Sequence, residues 1–299
     1  MSIRIALLTA ATLMVFAQPA AAEQVLSKRA TVVPDATINV SNVQGSVDVS
    51  AWDRNEVELD ARLESDKDEL KFEATDRLVR IAVDRPDKKF GRADDEEAIL
   101  TLRVPKSARL IVDTVSADIE VSGVRGDQRL ESVSGDVTTQ AFDTRVDLQS
   151  VSGDVTIAGN GGKALVSTEN VSGSTVASGI RGGYEGAAVS GDITATVADA
   201  ERLRVGSVSG NVEVHADLTS TARVEMESIS GTVALTLKPP VNADFEIESF
   251  SGDIENCFGP KAQDNSKYTP GSELNFTQGS GGARVEMQTL SGDISLCDR

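Results

Sequence analysis

The chain has 299 residues, a formal net charge of −18 and only 4% aromatic residues. A surface this acidic repels phosphate backbones, so nucleic acid is excluded as a partner, and divalent cations or basic surfaces are favoured instead. The single histidine and the two cysteines are too few to build a metal site from nitrogen and sulfur ligands.

Residues 1–22 have the pattern of a secretory signal peptide. Arg4 supplies a positive charge, residues 5–16 are mainly apolar, and residues 20–22 are the small alanines that signal peptidase requires. We expect cleavage after Ala22 and a periplasmic or extracellular location. No second apolar run is long enough to cross a bilayer, so no transmembrane anchor is expected.

Residues 23–109 are predicted to form an N-terminal β-rich segment. A first repeat unit lies around Gly45, and alternating apolar and polar residues follow at 57–63, 70–72, 79–83 and 100–104. Alternation with a period of two is typical of strands that bury one face. The sequence therefore predicts one rung followed by a β-meander.

Residues 110–299 contain a repeat built on the tripeptide Ser-Gly-Asp or a close variant. The middle residue of each copy, here called the central residue, is Ala117, Gly135, Gly153, Gly173, Gly191, Gly210, Gly231, Gly252 or Gly292. The copies are about 18–21 residues apart, apart from a double-length last gap, which is the signature of a repeat architecture. Apolar residues recur at positions −7, −5, −2, +2 and +4 relative to the central residue.

The repeat predicts an all-β protein, a single-chain β-solenoid with coils of about 18–21 residues. One coil is too small to fold alone, but coils stacked at about 4.8 Å would merge their inward residues into one core. All five apolar positions are expected to point inward, and the central glycine is expected to lie in a tight corner. Since Ala117 shares that position, close packing rather than a positive φ is favoured as the reason for glycine. Residues 255–283, rich in Gly, Ser, Asn and Pro, are predicted to be a loop insertion.

Four motifs resemble the bacterial "putative adhesin" family of domain-of-unknown-function proteins. They are Gly-Ser-Val-Asp-Val-Ser-Ala-Trp-Asp at 45–53, Leu-Arg-Val-Pro at 102–105, the repeated Val-Ser-Gly-Asp-Val, and the closing segment 281–294. The resemblance implies a β-solenoid in the cell envelope with an adhesin-like role. It supplies no catalytic residues.

Polar residues flank the central position on both sides. Serine occupies −1 in all nine copies, and aspartate occupies +1 at Asp118, Asp136, Asp154, Asp192, Asp253 and Asp293. Stacked carboxylates repel one another, so one interpretation is that serine hydroxyls donate hydrogen bonds to them while solvent screens the remaining charge. The alternative is that pairs such as Asp136 and Asp154 bind calcium, which prefers oxygen ligands. A glycosidase pair is disfavoured, because catalysis needs one distinctive environment and this pair repeats.

The two cysteines occupy equivalent positions in their repeats. Cys257 follows Gly252 by five residues, and Cys297 follows Gly292 by five residues. If these repeats are adjacent in the stack, the two thiols lie within disulfide reach. Because an exported protein enters an oxidising compartment, we predict a disulfide between Cys257 and Cys297.

These features predict a non-catalytic, exported cell-envelope protein that acts as a binding or adhesin-like scaffold without a cofactor. Its expected partner is an envelope polysaccharide, peptidoglycan or an envelope protein. A self-assembling structural envelope protein is the alternative, and a polysaccharide-active β-helix enzyme is a third hypothesis.

Overall fold

The computed structural model describes residues 24–65, 67–85, 96–266 and 269–298. Within these ranges every regular element is a β-strand, and hydrogen bonds connect the 22 strands into one sheet. The all-β prediction is therefore confirmed. The predicted signal peptide, residues 1–22, lies outside the described residues. In the described ranges no helix is long and apolar enough to cross a membrane.

Six strands form the N-terminal end of the sheet: β1 Gln24–Thr31, β2 Thr37–Trp52, β3 Glu56–Leu63, β4 Glu69–Ala74, β5 Leu78–Asp84 and β6 Ala98–Pro105. β5 and β6 lie parallel to successive halves of β2. β3 is antiparallel to β1 and β6, and β4 is antiparallel to β5. The predicted strands are present, but their pairing is not that of a meander, because β5 and β6 together make a rung of the parallel stack.

The ten central strands form a stack in which all neighbours pair in parallel. They are β7 Arg109–Ser122, β8 Gln128–Ser134, β9 Val137–Ala141, β10 Val146–Ser152, β11 Val155–Gly159, β12 Ala164–Ser172, β13 Thr175–Ser190, β14 Ile193–Ser209, β15 Val212–Ser230 and β16 Val233–Leu237. Equivalent repeat positions lie side by side: Leu148 is next to Leu130 on one side and Thr168 on the other. Each repeat therefore contributes one rung of the stack, and β2 continues the stack beyond β7.

The C-terminal strands are β17 Ala243–Ser249, β18 Ile254–Asn256, β19 Gln263–Ser266, β20 Thr269–Gln278, β21 Ala283–Ser291 and β22 Ile294–Asp298. β21 lies between β15 and β17, and β22 lies between β16 and β18, all in parallel register. The last rung in sequence is thus inserted between two rungs that precede it. The rung of Gly252 is the outermost one of the parallel stack.

The prediction of a loop insertion at 255–283 is wrong. This segment contains β19 and β20, which pair with each other antiparallel, and β20 also pairs antiparallel with β17. Phe276 of β20 stacks on Phe245 of β17, with ring centroids 4.6 Å apart. Gly and Pro depress the sequence signal for a strand, although an edge strand tolerates them.

The core lies inside the stack and is formed by positions −7, −5, +2 and +4. In the rung of Gly153, the side chains of Val146, Leu148, Val155 and Ile157 are at most 1% exposed. The prediction that position −2 also points inward is wrong, since Val151 is 47% exposed. The buried position at this corner is −3.

Position −3 holds inward-pointing residues that are mostly polar. Some of them bond to the backbone of the corner, whereas the buried hydroxyls of four others have no hydrogen-bond partner among the described residues. The hydroxyl of Thr114 donates to the carbonyl oxygen of Ala117 at 3.0 Å. The side-chain amide of Asn170 donates to the carbonyl oxygen of Gly153 in the neighbouring rung, also at 3.0 Å. A valine at −3 of these two rungs would leave the carbonyl oxygens without that donor. The alternation that begins at −7 runs unbroken through −3, so residue −2 faces solvent, and it breaks only at −1, where Ser152 is also exposed.

The central glycines are packed against one another along the stack. A Cβ added to Gly153 would lie 2.3 Å from the carbonyl oxygen of Gly135. The predicted tight corner is present. The expectation that φ is not positive is wrong for part of the column, since φ is 144° at Gly210 and 130° at Gly231.

One rung fills two core positions with a single large side chain. In the rung of Gly191, position −7 is Tyr184, which is fully buried, and position −5 is Gly186. A Cβ on Gly186 would lie 2.8 Å from the Tyr184 hydroxyl oxygen, so the ring fills the space of both positions. The hydroxyl lies 2.9 Å from Oγ1 of Thr168. Burial raises the pKa of Tyr184 to about 12.

Candidate functional site

The most unusual surface of the protein is a column of exposed apolar side chains at position −2. Each is between 43% and 55% exposed, and in stacking order they are Val115, Val133, Val151, Val171, Val189, Val208, Ile229, Leu290 and Phe250. We call this column the apolar stripe. At about 4.8 Å a rung, its nine residues extend over about 38 Å.

Two shallow grooves run beside the apolar stripe. The first has a volume of about 410 Å³ and is walled by the stripe residues from Val133 to Val189. The second has a volume of about 630 Å³ and is walled by the stripe residues from Val208 onward. Both grooves reach Ala187 and Ala188, so they meet halfway along the stripe.

The grooves meet at a recess made by small residues at position −4. Ala187 and Gly206 are paired in adjacent rungs, whereas the −4 positions of the rungs on either side are Glu169 and Glu227. A Cβ added to Gly206 would meet no neighbouring atom closer than the Glu227 carbonyl oxygen at 3.8 Å. Neither packing nor a positive φ requires glycine at this position.

Carboxylates border the apolar stripe on both sides, and the segments from −4 to +1 of the nine repeats contain no lysine or arginine. The acidic residues on the two borders are Asp113, Glu131, Glu169, Glu227 and Glu248 at −4, and Asp118, Asp136, Asp154, Asp192, Asp253 and Asp293 at +1. The stripe is therefore an apolar column inside an acidic frame.

On the −4 border of the acidic frame, two carboxylates are paired in adjacent rungs and repel each other. Asp113 and Glu131 occupy facing positions in adjacent rungs. The pKa of Asp113 is raised above its ordinary value, first by partial burial and then by the charge of Glu131, while Arg129 acts in the opposite direction. A positive group placed against this border would relieve the repulsion.

The aspartates at +1 have a structural role. Oδ1 of Asp118 accepts a hydrogen bond from the backbone N–H of Asp136 at 2.9 Å, and Oδ1 of Asp136 accepts one from the N–H of Asp154 at 2.9 Å. Asn211 makes the equivalent bond to the N–H of Thr232 at 3.1 Å. The donors are backbone amides of the next rung rather than the serine hydroxyls that the sequence suggested.

The calcium hypothesis for Asp136 and Asp154 stays a prediction. In each of these carboxylates Oδ1 already accepts a backbone N–H, and calcium takes about six to eight oxygen ligands. The described part of the chain has no group of three or more His, Cys, Asp or Glu side chains placed to hold a metal ion. The two carboxylates also make the same hydrogen bond, which gives no basis for separate acid and base roles.

The two cysteines form a disulfide between adjacent rungs, as the repeat frame predicts. Cys257 and Cys297 are bonded, with their Cα atoms 4.7 Å apart. Their predecessors Asn256 and Leu296 are paired in β18 and β22. The bridge therefore joins the outermost parallel rung to the inserted C-terminal rung.

Sequence reasoning missed the apolar stripe because it assigned position −2 to the core. One signal was available: positions −5 and −2 differ by an odd number, so regular alternation places them on opposite faces of the strand. The buried position is then −3, as Ser150 shows with 3% exposure. Hydrophobicity alone could not separate an exposed valine from a buried one.

Several solved structures match most of this chain at low sequence identity. A "putative adhesin" from Bacteroides fragilis is 13% identical, with 91% of this chain and 97% of that chain covered and a TM-score of 0.33. A "putative adhesin" from Parabacteroides distasonis is 11% identical, with coverage of 92% and 97% and a TM-score of 0.34. A "putative cell adhesion protein" from Clostridium sporogenes is 10% identical, with coverage of 92% and 100% and a TM-score of 0.28.

No curated protein matches this chain. The sequence does match the Toastrack DUF4097 family over residues 35–297. That range contains the motifs at 45–53 and 102–105 and the closing segment 281–294. Because the match covers most of the chain, the protein belongs to the Toastrack DUF4097 family, a family of domains of unknown function.

Proposed function

We propose that this protein is an exported, non-catalytic β-solenoid that acts as a binding scaffold in the cell envelope, with the apolar stripe as its binding surface. The observation that carries the proposal is the exposure of one apolar side chain in each of nine consecutive rungs. Parallel pairing of equivalent repeat positions supports the solenoid architecture.

Exposure of the apolar stripe to water is unfavourable unless a partner covers it. Contiguous apolar patches are uncommon on monomeric soluble proteins and mark interaction sites when polar residues surround them. Burying the exposed half of one valine would contribute about 1 kcal/mol. Several adjacent rungs would thus supply enough free energy for specific binding, although ordering the partner offsets part of it.

Two features support export. Residues 1–22 have the composition of a signal peptide. The Cys257–Cys297 disulfide is typical of an oxidising compartment such as the periplasm or the cell exterior. We therefore assign the mature chain to residues 23–299.

The chemistry of the stripe favours an envelope protein over polysaccharide or peptidoglycan as the partner. Eight of its nine side chains are aliphatic and only Phe250 is aromatic, whereas sugar rings are bound mainly by stacking on aromatic faces. Self-assembly through the ends of the stack has weaker support. Among the described strands, the end strand β1 pairs with β3 alone, but it carries Lys28 and Arg29, and charged edge strands resist pairing with other chains.

A retention experiment tests the proposal. Mature protein immobilised on beads is exposed to envelope fractions containing protein, outer-membrane polysaccharide or peptidoglycan. We expect retention of a protein fraction whose affinity falls by about thirtyfold in the double variant Val151→Ser and Val171→Ser, since about 2 kcal/mol of burial is lost.

The matched control is Val176→Ser, which changes a 41% exposed valine outside the stripe and should retain the fraction normally. Equal retention by the stripe variant and the wild type would rule out the stripe as the binding surface. Degradation of an envelope glycan by the purified protein would favour the enzyme hypothesis. Sedimentation that depends on protein concentration would favour self-assembly.

A further inference from the structure

The acidic frame determines which charge a partner of the apolar stripe carries. Eleven carboxylates border the stripe and no cation lies within its nine repeat segments from −4 to +1. A second copy of this chain would place the same carboxylates opposite themselves, and an anionic membrane would meet the same repulsion. A partner with apolar and basic groups on one face complements both the stripe and its border.

The backbone beside the stripe is already hydrogen-bonded within the stack. The N–H of Gly153 donates to the carbonyl oxygen of Ser172, and the N–H of Gly191 donates to that of Ser209, at 3.2 Å and 3.1 Å. A partner lying along the stripe therefore cannot add a β-strand to it through backbone pairing. Binding must use side chains.

The spacing of the stripe matches a helix better than an extended chain. Stripe residues recur every ~4.8 Å. One turn of an α-helix rises about 5.4 Å, whereas alternate residues of a strand are about 6.6–6.8 Å apart. Over three rungs a helix with one apolar residue per turn stays within about 2 Å of register, and the side chains of valine and leucine absorb that difference.

The recess at Ala187 and Gly206 provides a position for one larger side chain. It lies beside Val189 and Val208, the stripe residues of the same two rungs, and the two grooves meet at it. The −4 carboxylates resume on both sides, at Glu169 and Glu227. An apolar residue of the partner can occupy the recess while basic residues about one turn away on either side reach these carboxylates.

We propose that the apolar stripe binds a basic amphipathic α-helix of a partner protein, with one apolar side chain of that helix seated in the recess formed by Ala187 and Gly206. This inference rests on the proposed function and adds the chemical class of the partner. It places the centre of the binding surface at the rungs of Gly191 and Gly210.

Synthetic peptides provide the test. The first is a helix-forming peptide of about 18 residues, about 27 Å long when helical, with leucine once per turn on one face and lysine at the flanking positions. The second replaces each lysine by glutamate. The third has the composition of the first in a scrambled order that forms no apolar face. Each carries a fluorescent label, and its dissociation constant for the mature protein is measured by anisotropy at about 50 and 150 mM salt.

We expect the lysine peptide to bind at least about tenfold more tightly than the scrambled peptide, and the glutamate peptide to show no binding. The double variant Val189→Ser and Val208→Ser should weaken binding of the lysine peptide by about tenfold, because both walls of the recess lose apolar surface. The double variant Glu169→Gln and Glu227→Gln should weaken it by several-fold and reduce its salt dependence. The control Val176→Ser should bind like the wild type.

A variant of the recess separates it from the rest of the stripe. Gly206→Leu fills the recess, and the open space around Gly206 means that the fold should tolerate it. Far-UV circular dichroism and the melting temperature verify folding of every variant. We expect Gly206→Leu to raise the dissociation constant of the lysine peptide by about tenfold while leaving the melting temperature of the protein unchanged.

Three outcomes would overturn the inference: equal binding of the lysine and scrambled peptides, no effect of the Val189 and Val208 variant, or binding to phosphatidylglycerol vesicles in place of the peptide. Failure here is distinct from failure of the proposed function. If Val151→Ser with Val171→Ser abolishes retention of the envelope fraction while no peptide binds, the stripe is a binding surface for another partner. If that variant retains the fraction normally, the proposed function itself is wrong.

Discussion

At the corner of each repeat, contacts with single backbone atoms restrict which residue can occupy the central position. The central glycine is needed because its neighbour along the stack leaves no space for a side chain. In Gly153→Ala the new Cβ would lie 2.3 Å from the carbonyl oxygen of Gly135, and we expect the free energy of unfolding to fall by about 1–3 kcal/mol or more. The measurement is urea unfolding followed by far-UV circular dichroism.

Gly206→Ala is the matched control for this change. Its Cβ would lie 3.8 Å from the nearest neighbouring atom. Because alanine also restricts the unfolded chain, the free energy of unfolding should be unchanged or should rise by up to about 1 kcal/mol. If both alanine variants had the same stability, close packing would not be the reason for the central glycine.

The aspartates at +1 can be tested by separating their acceptor oxygen from their charge. Asp136→Asn keeps an oxygen that can accept the N–H of Asp154, as Asn211 does for Thr232, and should leave stability nearly unchanged. Asp136→Ala removes the acceptor and should cost about 0.5–1.5 kcal/mol. Melting temperatures with calcium and with a chelator complete the test. A rise with calcium in the wild type that is absent from Asp136→Asn would support the calcium hypothesis instead.

The residues of the repeat show how far sequence alone could reach. Positions −7, −5, +2 and +4 are assigned to the core correctly, since alternation within a short strand fixes which face each residue occupies. Position −2 is assigned wrongly because the corner is placed before it, whereas the alternation runs unbroken to Val151 and breaks only at Ser152. Ser150 at −3 is buried although it is polar, and a hydrophobicity pattern assigns such a residue to the surface.

At the scale of one element, the rung of Gly191 keeps its core filled with a single tyrosine. The pKa of Tyr184 is raised to about 12 by burial, compared with about 10 in an unfolded chain. The neutral form is thus favoured in the folded state, so stability is retained below pH 10 and lost as the pH rises toward 12. The loss attributable to Tyr184 approaches about 3 kcal/mol.

The measurement compares the free energy of unfolding at pH 9 and pH 11 for the wild type and Tyr184→Phe. The variant leaves Thr168 without its hydroxyl partner, which lowers stability by about 1 kcal/mol at both pH values, but it should lose less stability than the wild type as the pH rises. A loss of the same size in both proteins would contradict the assignment.

The elements at the two ends were the least predictable from sequence. Segments such as 57–63 and 100–104 are identified as strands by their alternation, but alternation does not specify a partner, and β3 pairs with β6 and β1 rather than with β4. β20 was predicted to be a loop because glycine and proline obscure its pattern. The cysteine pairing was predictable, since both residues have the same position in the repeat and equivalent positions are stacked.

At the scale of the whole molecule, the charge and the stripe belong to the same surface. The sequence reveals a net charge of −18 but not where it is concentrated. The stack aligns the −4 and +1 positions of successive repeats, which brings eleven carboxylates around one apolar column. Eleven of the 47 acidic residues thus border one surface, and a basic partner, which the net charge favours, is also the kind that this surface would attract.

The order of the rungs predicts an unusual response to truncation. In a repeat protein each unit contacts only its neighbours, so deletion of a terminal unit normally removes one interface and leaves the remainder folded. Here the C-terminal strands β21 and β22 lie inside the stack and pair on both sides. At the other end of the chain, β1 pairs only with β3.

Deletion of residues 283–299 should therefore separate the outermost rung from the stack as well as removing its own rung, and it also removes the disulfide partner of Cys257. We expect amide hydrogen exchange at residues 243–256 to become as fast as in an unfolded chain, while residues 128–209 stay protected. Deletion of residues 24–31 should leave exchange at 243–256 unchanged and affect β3 alone. Continued protection of 243–256 in the C-terminal truncation would show that β17 and β18 can pair directly with β15 and β16, so that the inserted rung stabilises the end of the stack without being required for its assembly.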